Sequence, residues 1–199
     1  MSVLNQRLLA NIYKVSQNRD VFLKNCNNHI ISDVNLIMQS FPPTLILRHQ
    51  RENLKKCSLR GLEKRQDCRF FTYPTSILPE TTGYLLLAVE APPLQPSDSS
   101  QGLFLLDATW RYAARMLQFV ESKVTIERRS IPKGFRTAYP RCQNDCPNPD
   151  EGLASVEALY VAYLVMGRNP EGLLDGYHWK DQFLEKNTAL IAQLITLTL

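Results

Sequence analysis

Residues 102–117, GLFLLDATWRYAARML, drive an apolar run into Asp107, set Trp110 three residues later and place Arg111 and Arg115 four apart. A carboxylate in this position either caps the helix that follows or delivers a charge to a ligand. Trp110 either fills a core or walls a pocket that stacks a nucleobase or a cation. Arg111 and Arg115 share one helical face with no acid at the matching spacing, so they face solvent or phosphate rather than a partner. Cys142 and Cys146 form a C-x3-C pair without a second well-spaced pair, so no metal site is expected. The sequence has no glycine-rich phosphate loop, no G-x-S-x-G and no H-E-x-x-H, which removes the common nucleotide-binding and hydrolase signatures.

The elements that must position these residues follow from the apolar pattern. TLIL (Thr44 to Leu47), CRFFTYP, GYLLLAVEAPP, LFLL and KVTIERRSI read as short strands. Helices are expected from about Thr109 to Glu121, through ASVEALYVAYLVMG to a stop at Gly167, and as one or two pieces in the C-terminal segment. The charged stretch ENLKKCSLRGLEKRQ reads as roughly helical, with Leu54, Leu62 and Cys57 inward. Residues 92–102, rich in Pro and Ser, read as a mobile loop. Strands alternating with helices predict an α/β fold, a mainly parallel sheet with helices on both faces. Ligands of such sheets bind beyond the carboxyl ends of the strands, which singles out Asp107 and His49.

Composition narrows the function classes. The chain of 199 residues suits one domain with a sizeable core and an appendage, and residues 1–43 read as a helical N-terminal extension to a domain over 44–199. Charges interrupt the first 20 residues, so neither a signal segment nor a membrane span is expected. Five irregularly spaced cysteines argue for reduced thiols and a cytoplasmic protein. The net charge of +4 conceals an asymmetry. Arg48 to Arg69 and Asp107 to Arg141 each hold eight Lys/Arg against three Asp/Glu, whereas Asp145 to Leu199 holds three against eight. Two basic segments predict a face for polyanions.

Several motifs in order resemble one family. LFLLDATWRYAARM resembles the signature of the DTW-domain family at Asp107, Ala108, Thr109 and Trp110, with Ala113, Arg115 and Met116 behind it. HQRENLKKCS resembles that family's histidine, acid, lysine and hydroxyl pattern at His49, Glu52, Lys56 and Ser58, and EGLASVEAL its Gly-Leu-Ser-x-x-Glu-Ala segment at Gly152, Leu153, Ser155 and Glu157. LKKCS, SVEALYVAYLVMG and WKDQFLEKN are similar to the related ribosomal-RNA aminocarboxypropyltransferases. The chain departs from most DTW members in lacking an N-terminal cysteine cluster and in carrying Ala114 where they have arginine.

The resemblance implies a SPOUT-like knotted fold that binds S-adenosylmethionine. It further implies transfer of the 3-amino-3-carboxypropyl group to N3 of a uridine, with methylthioadenosine leaving and no metal involved. A uridine of tRNA is the expected acceptor, and a uridine or pseudouridine of ribosomal RNA the alternative. Asp107 would be the catalytic base for N3. Ser58, Trp110 and the segment Leu153, Ala154 and Ser155 would hold the adenosylmethionine. Lys55, Lys56, Arg60, Arg111, Arg115, Lys133 and Arg136 would contact RNA phosphates. A SPOUT-type methyltransferase and a non-catalytic RNA-binding assembly factor are the rival readings.

Overall fold

TLILRH and GLFLLD, two short apolar runs that each end in a charged or titratable residue, become adjacent central strands of one sheet. The computed structural model describes residues 41–74, 77–140 and 152–197, without the side chains of Trp110 and Leu197. The expected N-terminal extension lies outside the described residues, apart from Phe41 to Pro43, and so do Cys142 and Cys146.

Five strands, β1 (Thr44–His49), β2 (Cys68–Tyr73), β3 (Tyr84–Leu87), β4 (Gly102–Asp107) and β5 (Glu127–Arg129), form a sheet in the order β2-β1-β4-β3-β5. Every pairing is parallel, and Arg48 of β1 lies opposite Asp107 of β4. Parallel strands are covered on both faces, which is why TLIL, YLLL and LFLL are continuously apolar rather than alternating. The pleat sends Leu45, Leu47, Leu86 and Phe104 to one face, where they meet Met116 and Val120 of α1 (Trp110–Glu121). Ile46, Leu85, Leu103 and Leu105 face the other way, onto α2 (Ser155–Val165), α3 (Lys180–Lys186) and α4 (Thr188–Leu197). The expected α/β fold is thus observed, with helices on both faces. No helix among the described residues is long and apolar enough to cross a membrane.

Sequence and structure agree on α1 and on the stop of α2. Gly167 takes φ +64, its N–H bonds Leu164 O at 3.1 Å and the Arg168 N–H bonds Tyr163 O at 2.8 Å, a Schellman closure that needs a residue tolerant of the left-handed region. They differ in two other segments. The stretch after β1 forms successive turns and a single 3-10 turn, Leu62–Lys64, because Cys57, Leu59 and Leu62 are drawn into the core at spacings no single helical face supplies. Leu54 consequently lies outside, 58% exposed. Residues 92–102 are anchored rather than loose. Leu94 is buried, and Asp98 accepts from the Gln95 N–H at 2.9 Å and from Arg129 Nε at 3.0 Å.

Candidate active site at the strand ends

In chain order, the segment after β1 leads outward to β2, whereas the segment after β4 leads toward β5 on the opposite side. Such a divergence leaves a crevice beyond the carboxyl ends of the two strands, where ligands of open α/β sheets bind. Arg48 and Asp107 stand there as register partners.

Asp107 is 3% exposed and collects three donors. Arg48 Nε bonds its Oδ2 at 2.8 Å, the Cys57 thiol reaches the same oxygen at 3.3 Å, and Ser155 Oγ bonds Oδ1 at 3.0 Å. An ionised carboxylate offers about four lone-pair sites, so one remains. Burial, and then the negative charge of Asp107, push the Cys57 thiol up to about 12, so it stays protonated and donates. Arg48 also bonds Glu63 Oε1 through Nη1 at 2.7 Å, and its guanidinium lies 4.5 Å from the centre of the Phe70 ring. Burial opposes the Arg48 charge, but the bonds to Asp107 and Glu63 outweigh it and hold its pKa above the ordinary value. Arg48 Nη2 is buried and has no hydrogen-bond partner among the described residues. An orphaned guanidinium nitrogen is costly unless a ligand satisfies it.

Glu52, half-buried on the turn after β1, belongs to the same electrostatic group. Burial and the nearby Asp107 raise its pKa above the usual carboxylate range, while Arg48 opposes them. Its position as a half-buried carboxylate beside an ion pair makes it a second group able to exchange a proton in the crevice.

The first turn of α2 forms the opposite wall. Ser58 Oγ accepts the Val156 N–H at 3.3 Å, and Glu157 accepts the Ala154 N–H at 2.7 Å, so two donors of the helix start are satisfied from outside its backbone. Leu153 and Ser155 are half-buried and Ala154 is buried. The structure therefore brings Ser155 directly to Asp107, and ties Ser58 to Val156, the residue that follows the Leu153 to Ser155 segment. Trp110 opens α1 beyond Asp107, and its side chain lies outside what is described. Lys55, Lys56 and Arg60 are exposed on the turns after β1, and Arg111 and Arg115 on α1. Lys133 and Arg136 are exposed on the segment after β5, whose backbone is fastened to Asn187 by the Arg136 N–H at 2.7 Å.

Three members of the group went unread in the sequence: Arg48, Cys57 as a donor, and Glu52 as a member of the crevice. The available signal for Arg48 was a cation closing a strand otherwise apolar on both faces. His49, singled out with Asp107, points to the other face of the sheet together with Leu45 and Leu47. It stacks there on Tyr112, with ring centres 4.1 Å apart. Among the described residues, no group of three or more His, Cys, Asp or Glu could hold a metal ion.

The sequence matches no family model and no curated protein. Among solved structures, the chain is similar to the SAM-dependent rRNA:acp-transferase Tsr3 from Vulcanisaeta distributa. The TM-score is 0.57 and the identity 22%, over 78% of this chain and 84% of that one. At that identity the likeness is one of fold: the chain shares the overall α/β architecture of that rRNA:acp-transferase.

Proposed function

We propose that the protein transfers the 3-amino-3-carboxypropyl group of S-adenosylmethionine to N3 of a uridine or pseudouridine in RNA. The observation that supports this best is the buried constellation of Asp107, Arg48 and Ser155 at the strand-end crevice of a fold shared with a SAM-dependent rRNA:acp-transferase. Ribosomal RNA is the favoured acceptor, because that neighbour acts on rRNA. The tRNA reading rests on the DTW-like motif at Asp107 to Trp110. The knotted SPOUT-type topology and a cytoplasmic setting belong to the same proposal, the latter on the irregular cysteine count.

The residues fit the group to be bound. Arg48 Nη2 is a buried donor that a ligand carboxylate would satisfy, and the Leu153 to Ser155 backbone with Ser58 offers polar atoms for a ribose and an adenine edge. When bound, S-adenosylmethionine supplies an electrophilic carbon whose bond to the sulfonium breaks as the N3–C bond forms, leaving methylthioadenosine. N3 of uridine is protonated at neutral pH, so attack requires a proton acceptor. Asp107 takes that role through its remaining lone pair, and Glu52 stands by as the carboxylate to which the proton can pass. Ser155 and Arg48 fix the Asp107 carboxylate, so its direction is set before substrate arrives. The basic segments after β1 and along α1 hold the RNA backbone, which makes binding strongly dependent on salt.

Incubation of the protein with rRNA and tRNA fractions and adenosylmethionine labelled separately in the methyl and carboxypropyl groups tests the reading. Carboxypropyl label in rRNA is expected. Methyl label in RNA would instead establish a methyltransferase, and label in neither would leave an RNA-binding assembly factor.

A further inference from the structure

The Asp107 group occupies only one face of the strand ends. On the other face, where α1 packs, the lining of a cavity of about 220 Å³ includes His49, Arg51, Tyr73, Tyr112 and Arg115, with no acid among its described lining residues. Its aromatic members form a continuous ledge. His49 stacks on Tyr112 at 4.1 Å with the rings 11° apart, and lies 5.5 Å from Tyr73. Tyr73 is in turn braced edge-on by Phe119 at 5.1 Å. The ledge is fixed at its base, since His49 is 7% exposed and its Nδ1 accepts the Arg51 N–H at 3.1 Å. With Nδ1 so occupied, a neutral ring carries its hydrogen on Nε2. Burial, and then the charge of Arg51, lower the His49 pKa and favour that neutral ring.

Arg51 and Arg115 are both exposed, and among the described residues neither has an ion-pair partner. Two unpaired guanidinium groups beside half-buried aromatic faces are the chemistry that holds a phosphate next to a stacked base. The size agrees. Pockets that enclose a whole small ligand run to roughly 300–1,000 Å³, so a smaller recess takes part of a molecule whose remainder continues outside, as one nucleotide of a strand does. We propose that this recess is a docking subsite for a nucleotide flanking the modified one, in single-stranded RNA. Its base lies on the Tyr112 and Tyr73 ledge, with an adjoining phosphate between Arg51 and Arg115. This rests on the proposed RNA modification and extends it: the strand crosses the sheet's carboxyl edge between β1 and β4, with the reacting uridine on the Asp107 face and its neighbour on the α1 face.

The test uses the full chain and a fluorescent single-stranded uridine pentamer, read by anisotropy across a salt series, with adenosylmethionine binding followed separately by calorimetry. The double variant Arg51→Ala/Arg115→Ala is expected to bind the pentamer at least tenfold more weakly. Its log–log salt slope should be shallower by roughly 0.7, the value for one phosphate neutralised on a single strand, and its adenosylmethionine affinity unchanged. Tyr112→Leu is expected to weaken binding about tenfold at every salt concentration without changing the slope, since it removes stacking and no charge. Pentamer affinity in both variants equal to that of the parent chain would overturn the subsite. So would inorganic phosphate competing as well as uridine monophosphate, which would make the recess a plain anion site. The failure of the proposed reaction reads differently: carboxypropyl label missing from every RNA, with the variant effects on pentamer binding intact, removes the reaction and keeps the subsite. A labelled rRNA product with the KM for RNA unaltered in the double variant keeps the reaction and removes the subsite.

Discussion

Asp107 and Glu157 are two buried carboxylates set against the same helix start, and their surroundings differ in kind. Glu157 is 0% exposed and accepts from Thr137 Oγ1 at 2.6 Å, the Ala138 N–H at 2.8 Å, the Ala154 N–H at 2.7 Å and Tyr177 OH at 2.8 Å. All four donors are neutral and belong to the protein, so the lone pairs are fully used and the group fastens the segment after β5, the α2 start and the Tyr177 turn together. Asp107 instead shares its charge with Arg48, takes a thiol that stays protonated at neutral pH, keeps one lone pair, and has beside it a guanidinium nitrogen unsatisfied by the described residues. A carboxylate saturated by neutral donors is a structural knot, and one held by an incompletely satisfied cation is poised for something yet to arrive.

The largest effect that would sharpen this contrast is loss of Glu157. Glu157→Ala strands four neutral donors near the core and is expected to destabilise the protein by about 3–5 kcal/mol, read as a lower urea midpoint at unchanged m-value. Asp107→Asn is expected to keep the fold, with circular dichroism like the parent's, while carboxypropyl transfer falls roughly a hundredfold or more. If Asp107→Asn unfolded as readily as Glu157→Ala, the distinction between the two sites would collapse.

Cys57→Ala follows, at about 1 kcal/mol of stability for one lost hydrogen bond. In the parent chain Cys57 and Cys68, both buried with thiols pushed up to about 12, should resist iodoacetamide until urea unfolds the protein. Ready alkylation of Cys57 in the folded state would mean that the crevice is open to thiolate chemistry. The smallest effect is that of Glu52. Its folded-state pKa is raised, so its charged form is disfavoured by folding, and Glu52→Gln should slightly raise the melting temperature at neutral pH. That gain should fade as the pH falls through the folded-state value and vanish below the ordinary range of glutamate. A gain independent of pH would show that the charge of Glu52 is not what matters.

Much of the fold was legible because β1, β3 and β4 are short apolar runs bounded by turn residues or charges, and because α2 is apolar almost all round. The position of Asp107 at a strand end was legible for the same reason, and Ser155 came with the resemblance. Arg48 was not. A cation after TLIL reads locally as the chain leaving the interior, and only the β1–β4 register places it opposite a carboxylate 59 residues away. The anchoring of residues 92–102 was hidden likewise, since Asp98 finds Arg129 31 residues downstream. Local composition reports whether a segment can bury itself, and says little about which distant charge will compensate it.

That distance has a kinetic meaning. Arg48, Cys57 and Ser155 reach Asp107 from 59, 50 and 48 residues away, so each contact closes a long loop, and central parallel pairing must precede all of them. No fragment made of one or two adjacent elements can hold the constellation. It needs β1, β4, the turns after β1 and the start of α2 together, which makes the integrity of this one carboxylate's surroundings a gauge of whether those elements have assembled.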